Sequence, residues 1–119
     1  MNGLIPAIIQ NADTGKASCF SNSNSTEEDS LRVLFATILD RQKTMPKGSY
    51  TASLFAEGLD QICAKVEEES GEVIQAAKRE TKQRLIEESA DLIYHLFVLM
   101  VSQDVGLDEV GRELRRRQR

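Results

Sequence analysis

Residues 65–91 read KVEEESGEVIQAAKRETKQRLIEESAD and carry one pattern twice. Glu68-Glu69-Ser70-Gly71-Glu72 is followed by Glu87-Glu88-Ser89-Ala90-Asp91. Each copy is acid, acid, two small residues, acid. Carboxylates are hard oxygen donors and also proton carriers, so grouped acids can hold a hard cation or do acid–base work. On a helix, residues three and four apart share a face. Glu68, Glu69 and Glu72 therefore project to one side, and Glu87, Glu88 and Asp91 do the same on the next helix.

The elements that would bring these acids together are two antiparallel helices. In such a hairpin the numbers of facing residues sum to a constant. Positions 69, 72, 88 and 91 are centred on 80, and Glu80-Thr81-Lys82 reads as a polar, uncapped break between two apolar patterns. The two acidic sets then sit level, roughly 12 Å from the turn. Small residues beside the acids would allow the helices to approach closely. Gathered carboxylates repel, and desolvation raises their pKa values. A bound cation reverses that cost. Octahedral oxygen coordination suits Mg²⁺ or Mn²⁺, which keep waters for a phosphate substrate. The plainer alternative is a solvated acidic face. Nineteen of the 119 residues are acidic, so chance clusters are expected. The duplication and its symmetry about a turn favour a site.

A chain of 119 residues supports one domain with a modest core. Ala, Leu, Glu, Lys and Arg dominate the second half, which favours an all-α fold. The net charge of −4 argues against general nucleic-acid binding by a basic surface. Cys19 and Cys63 lack metal-ligand spacing and signal neither a zinc site nor a disulfide framework. Residues 4–9 are apolar but too short, and without the basic flank, for a signal peptide. The longest apolar run, Leu92–Val101, is interrupted by His95 and is far shorter than the roughly 20 residues that span a bilayer. The expectation is a cytoplasmic protein without a membrane partner.

Residues 1–27 are rich in Asn, Ser, Thr and Gly, with a low-complexity Ser21-Asn22-Ser23-Asn24-Ser25, and read as a flexible N-terminal arm. Residues 28–119 read as the folded domain. A first helix begins near Ser25 or Thr26, where Ser25-Thr26-Glu27-Glu28 fits a capping box, and stops by Met45 before Pro46. Its core stripe is Leu31, Leu34, Phe35, Ile38 and Leu39. The loop Arg41-Gln42-Lys43-Thr44-Met45-Pro46-Lys47-Gly48-Ser49-Tyr50-Thr51 offers cations, a glycine and hydroxyls, a fit for phosphate oxygens beside a metal site. Most such loops are only turns. Thr51 can cap a second helix, from about Ala52 to Arg79, bent at Gly58. Its core side is Leu54, Phe55, Leu59, Ile62, Cys63, Val66, Val73 and Ile74, with Cys63 read as a buried small hydrophobe. Lys65, one turn before Glu69, can reach a phosphate or pair with that acid.

A third helix runs from about Thr81 or Lys82 to Gln103, with Gly106 suited to a C-cap. The run Leu92–Val101 is apolar around its circumference, which points to burial on all sides and hence to a homodimer or higher homo-oligomer. His95, four residues after Asp91, reads as a hydrogen-bonded interior histidine or as a group orienting Asp91. A fourth helix starts at Asp108, carries Val110 and Leu114, and ends in a basic tail.

From Tyr50 onward the string resembles the phosphoribosyl-ATP pyrophosphohydrolase family, within the MazG-like all-α nucleotide pyrophosphohydrolases. The resemblance covers roughly residues 29–119. It rests on Pro46-Lys47-Gly48-Ser49-Tyr50-Thr51, Lys65-Val66-Glu67-Glu68-Glu69-Ser70-Gly71-Glu72 and Glu88-Ser89-Ala90-Asp91-Leu92-Ile93-Tyr94-His95. It implies a MazG-like helical bundle of four to five helices, completed by dimerisation. The superfamily's E-x-x-E and E-x-x-D maps onto Glu69, Glu72, Glu88 and Asp91 as metal ligands. Glu67 departs from the family, which often has Gly there. The implied reaction is Mg²⁺-dependent hydrolysis of the α–β phosphoanhydride of 1-(5-phosphoribosyl)-ATP to phosphoribosyl-AMP and pyrophosphate, the second step of histidine biosynthesis. Glu68 could accept a proton from the attacking water or serve as a ligand, and Glu69 stands with it as a catalytic candidate. Arg41, Lys43, Lys47 and Lys65, with Ser49 and Tyr50, would bind the nucleotide. The competing readings are a MazG-like enzyme acting on another (d)NTP and a non-catalytic metal-binding helical dimer. Separately, Leu4–Gly15 resembles the opening strand and turn of phosphoribosyl-AMP cyclohydrolases, without that enzyme's later body, and reads as a remnant without activity.

Overall fold

The structure is a computed structural model and describes residues 26–118. The arm expected over 1–27, apart from its last two residues, lies outside the described residues. So do the cyclohydrolase-like segment, Cys19 and Arg119.

Among the described residues five helices follow one another: α1 Glu27–Thr44, α2 Tyr50–Glu57, α3 Leu59–Arg79, α4 Lys82–Ser102 and α5 Leu107–Arg117. The all-α expectation of four to five helices holds. The α1 N-terminus is a capping box one residue later than expected. The Asp29 N–H donates to Thr26 Oγ1 at 3.1 Å, and the Thr26 N–H donates back to Asp29 Oδ2. Met45, left-handed at φ 47°, closes α1 through its N–H to the Arg41 carbonyl.

Four local expectations are corrected by backbone chemistry. The long second helix is two helices. Gly58, at φ 102°, ends α2 and starts α3, a conformation that an L side chain rarely adopts. The cap of α2 is Ser49, whose Oγ accepts the Ala52 N–H at 3.0 Å, so Thr51 is inside the helix and fully buried. The α3–α4 turn is capped after all, since Thr81 Oγ1 accepts the Arg84 N–H at 3.1 Å. Gly106, read as a C-cap, is instead the extended N-cap of α5, and Asp104 takes the left-handed position after α4.

The helices α3 and α4 form an antiparallel hairpin, and α1 and α2 pack over the end of it away from the turn. The core there is Phe35 and Ile38 of α1, Leu54 of α2, Ile62 of α3, and Tyr94, Phe97, Val98, Met100 and Val101 of α4. Phe35 and Phe97 meet edge to face at 5.2 Å. Much of the apolar run in α4 is thus buried within the single chain, with Leu96 left exposed.

Several side chains assigned to the core are not in it. Leu31, Leu39, Leu59 and Ile74 are exposed, and Cys63 is an exposed free thiol. On α3 the buried direction is set by Ile62, Glu69 and Ala76. Leu59, Cys63 and Ile74 lie on a neighbouring stripe. Ile86 and Leu96 are likewise exposed on α4, and the antiparallel register sets Ile74 about level with Ile86 and Cys63 about level with Leu96. Nor do Gly71 and Ala90, two of the small residues beside the acids, lie between the helices of the chain. A Cβ added at Gly71 would meet nothing within 4 Å, and Ala90 is exposed. Among the described residues no single helix is long and apolar enough to cross a membrane.

Candidate metal centre

Glu69 on α3 and Glu88 and Asp91 on α4 each offer a carboxylate oxygen, and these atoms lie within 4.8 Å of one another. All three residues are fully buried. The chain folds this way because the acids interrupt the buried faces of two amphipathic helices. Ile62 and Ala76 carry the buried side of α3 on either side of Glu69, while Tyr94, Val98 and Val101 continue the side of α4 that starts with Glu88 and Asp91. Burying the apolar positions carries the acids in with them.

Isolated anions in such a place are costly. The carboxylate oxygens of Glu69 and Asp91 have no hydrogen-bond partner. Burial, with the nearby Glu68, Glu88 and Glu72, pushes Glu69 up to about 7, against the opposing pull of Lys65. Burial, reinforced by Glu69 and Glu88, pushes Asp91 up to about 7 as well. Glu88 is treated differently, because Arg84, one turn earlier, donates to its Oε2 and also pairs with Glu87. Arg84 escaped the sequence reading. The signal available was its i,i+4 spacing to Glu88.

An all-carboxylate, oxygen-only, buried set with unsatisfied lone pairs fits a hard divalent cation. Glu72 is half-buried one turn beyond Glu69 and is not one of the three converging groups. Glu68 is more exposed and accepts from Lys65 Nζ at 3.1 Å. The same Lys65 nitrogen stands 3.9 Å from Glu69. It is therefore a cation on the rim, shared by both acids.

The start of α2 borders the cluster. The Tyr50 hydroxyl lies 3.1 Å from His95 Nε2, and His95 Nδ1 lies 2.9 Å from the Asp91 carbonyl oxygen. His95 is the interior histidine anticipated from sequence, held to Asp91 through the backbone. Burial lowers its pKa to about 4. Tyr50 is raised to about 12 by burial and then by Glu69, Glu68, Glu57 and Asp91, which places its ring in the field of the acids. Beside it, Thr51 hydrogen-bonds the Tyr94 hydroxyl across α2 and α4.

The remaining loop candidates sit further out. Ser49 is buried as a helix cap, and Lys43 and Lys47 are exposed. Arg41 is largely buried, with Nη1 on Asp40 Oδ2 at 2.6 Å and a buried Nε that has no hydrogen-bond partner. An apolar cleft of about 880 Å³ between α1 and α5, walled by Leu39, Val105, Val110 and Leu114, contains none of the three clustered carboxylates. Chemistry, not volume, locates the site.

Comparison with known proteins gives one answer. Residues 31–118 match the family described as Phosphoribosyl-ATP pyrophosphohydrolase. A phosphoribosyl-ATP pyrophosphatase of Metallosphaera sedula is 48% identical over 89 residues, covering 75% of this chain and 96% of that protein. Its counterpart in Clostridium botulinum is 51% identical over 84 residues, covering 71% of this chain and 76% of that one. The histidine biosynthesis bifunctional protein HisIE of Bacillus subtilis is 44% identical over 109 residues, covering 87% of this chain. The chain spans about half the length of that bifunctional relative (52%).

Proposed function

The chain belongs to the phosphoribosyl-ATP pyrophosphohydrolase family, and we propose that it hydrolyses the α–β phosphoanhydride of 1-(5-phosphoribosyl)-ATP. The products are phosphoribosyl-AMP and pyrophosphate, which makes this the second step of histidine biosynthesis, carried out in the cytoplasm. The observation that carries the proposal is the buried group of Glu69, Glu88 and Asp91, whose oxygens converge within 4.8 Å. A helical bundle that binds no cation has no use for three acids where apolar side chains would pack better.

Glu69, Glu88 and Asp91 hold Mg²⁺, or Mn²⁺ in its place, and Glu72 completes the set from the next turn of α3. When bound, the cation supplies charge neutralisation for the polyphosphate and a bound water of lowered pKa. Glu68, partly exposed at the rim and steadied by Lys65, takes the proton from the attacking water. Lys65, Lys47, Lys43 and Arg41 counter the charge of the phosphates, and Ser49 and Tyr50, at the start of α2, bind the nucleotide beside them.

The working unit is a homodimer. That reading is supported by the exposed apolar stripes of the hairpin, Leu59, Cys63 and Ile74 on α3 and Ile86 and Leu96 on α4. Residues of that size exposed in register on two adjacent helices are the usual mark of an interface.

The test is pyrophosphate release from phosphoribosyl-ATP, measured with and without Mg²⁺ and compared with dUTP and dCTP. Mg²⁺-dependent turnover that favours phosphoribosyl-ATP is expected. Faster turnover of dUTP or dCTP would replace the substrate assignment, and Mg²⁺-independent turnover would overturn the metal reading.

A further inference from the structure

Arg84 takes hold of one of the three buried carboxylates and does so at one oxygen. It lies one turn before Glu88 on α4, and its guanidinium is spread over three acids. Nη1 donates to Glu87 Oε1, Nε stands 3.5 Å from Glu80 Oε1, and Nη2 donates to Glu88 Oε2. Glu80 and Glu87 reach solvent, whereas Glu88 is fully buried. The fork is therefore anchored from outside and puts one N–H on one inner oxygen. It does not make the two parallel bonds with which Arg can cover a whole carboxylate. Arg keeps its charge at every working pH, so Oε2 is committed. Oε1 is the oxygen that Glu88 can turn to the cluster. Glu69 and Asp91 differ, since neither oxygen of either has a hydrogen-bond partner.

This asymmetry bears on which cation fits. A carboxylate grips an ion with both oxygens only when both face it. At Oε2 a divalent ion would meet the guanidinium at close range, where repulsion between like charges is strongest. Ca²⁺ takes roughly six to eight oxygens in a flexible shell and draws on bidentate carboxylates. Mg²⁺ demands a near-ideal octahedron, which the narrow bite of a bidentate carboxylate distorts, and Mn²⁺ shares its taste for octahedral oxygen. We propose that Arg84 is a positioning residue that restricts Glu88 to one oxygen and so biases the site toward Mg²⁺ or Mn²⁺ and against Ca²⁺. The inference rests on the proposed metal centre and is independent of the substrate.

The test uses each ion alone, on the full chain without nucleotide. Melting temperature followed across Mg²⁺ and Ca²⁺ concentrations at pH 7.5 gives the two affinities. Arg84→Met should lower the preference for Mg²⁺ over Ca²⁺ by about tenfold, the size typical of a group that orients a metal ligand. A substitution that only disturbed the fold, or only removed a positive charge, would move both affinities together and leave their ratio. Lys65→Met is the control for charge, because it removes the ammonium 3.9 Å from Glu69 instead of the guanidinium on Glu88. Its ratio should match the wild type. An unchanged ratio in Arg84→Met, or an equal shift in Lys65→Met, overturns the proposal and leaves the metal centre standing. A wild type whose melting temperature responds to no divalent ion overturns the metal centre and the proposal with it. A crystal structure of the wild type with Mn²⁺ needs no variant to fold. It should show one Glu88 oxygen on the ion and an Arg84 N–H on the other; both Glu88 oxygens on the ion would refute the assignment.

Discussion

Glu69 on α3 and Asp91 on α4 bring carboxylate oxygens within 4.8 Å of each other with no exposure to solvent. Both are driven up to about 7, by burial first and by neighbouring acids second. The hairpin therefore holds a pair of acids that resist ionisation unless something positive arrives, and this sets the first prediction.

The metal-free protein loses stability as pH rises from about 4 to about 7. The sign follows from linkage. The unfolded values are 4.5 for Glu69 and 3.8 for Asp91, and the folded values are about 7. Between those limits the native state binds more protons than the unfolded one, so the unfolding free energy falls with pH. Denaturation in EDTA across pH 4–8 measures this. Glu69→Gln with Asp91→Asn should flatten the slope. Stability that climbs through the same window in the wild type would refute it.

Millimolar Mg²⁺ at pH 7.5 should raise the melting temperature of the wild type by several degrees, since ligand binding to the native state stabilises by mass action. Glu72→Ala should cut turnover by roughly a hundredfold, in line with weakened metal binding. It should not lower the metal-free melting temperature, because removing a neighbouring acid relieves repulsion on Glu69. A large drop in metal-free stability would make Glu72 structural.

The acidic centre was legible in the sequence because helical spacing and hairpin register are both geometric. Acids repeated at i and i+3, centred on a polar break, admit few other placements. What was not legible depended on single backbone angles and on packing partners. Gly58 reads equally as a bend or a break, and only its φ of 102° decides. Cys63 and Ile74 satisfy the periodicity of a core face, yet the buried stripe of α3 is centred a fraction of a turn away. A period fixes which residues share a face, not which face is covered. Arg84 was missed for a related reason: an i,i+4 ion pair is ordinarily a surface feature, and here its acid is buried.

Arg84→Met should lower metal-free stability, because it removes the guanidinium that pairs with the buried Glu88. Added Mg²⁺ should recover most of that loss, as it replaces the missing positive charge. Denaturant titration of the variant with and without Mg²⁺ decides. An equal deficit in both conditions would mean that Arg84 acts through packing alone.

Gly71→Ala separates two accounts of the hairpin's outer surface. In the single chain an added Cβ at Gly71 meets nothing within 4 Å, and the position is exposed mid-helix. Ala is favoured over Gly there by about 1 kcal/mol. The variant should be more stable by that amount if the surface stays open. Destabilisation, with weaker self-association, would place a second subunit against Gly71.

Cys63 reports on the same question without altering packing. It is exposed in the single chain, between Leu59 and Ile74 on the apolar stripe of α3 and about level with Leu96 on α4. If two hairpins pair through these stripes, the thiol is covered in the dimer and open in the monomer. In a Cys19→Ser background, where Cys63 is the sole thiol, modification by a thiol reagent should be slow at concentrations where sedimentation shows a dimer. It should accelerate at least tenfold on dilution below the dissociation constant, because the reagent then reads the monomer population directly. Ile74→Glu with Ile86→Glu should give the fast rate at every concentration, since two buried charges per stripe oppose association. Fast, concentration-independent modification of the wild type while it sediments as a dimer would move the interface to another face, and the apolar cleft between α1 and α5 would become the surface to test.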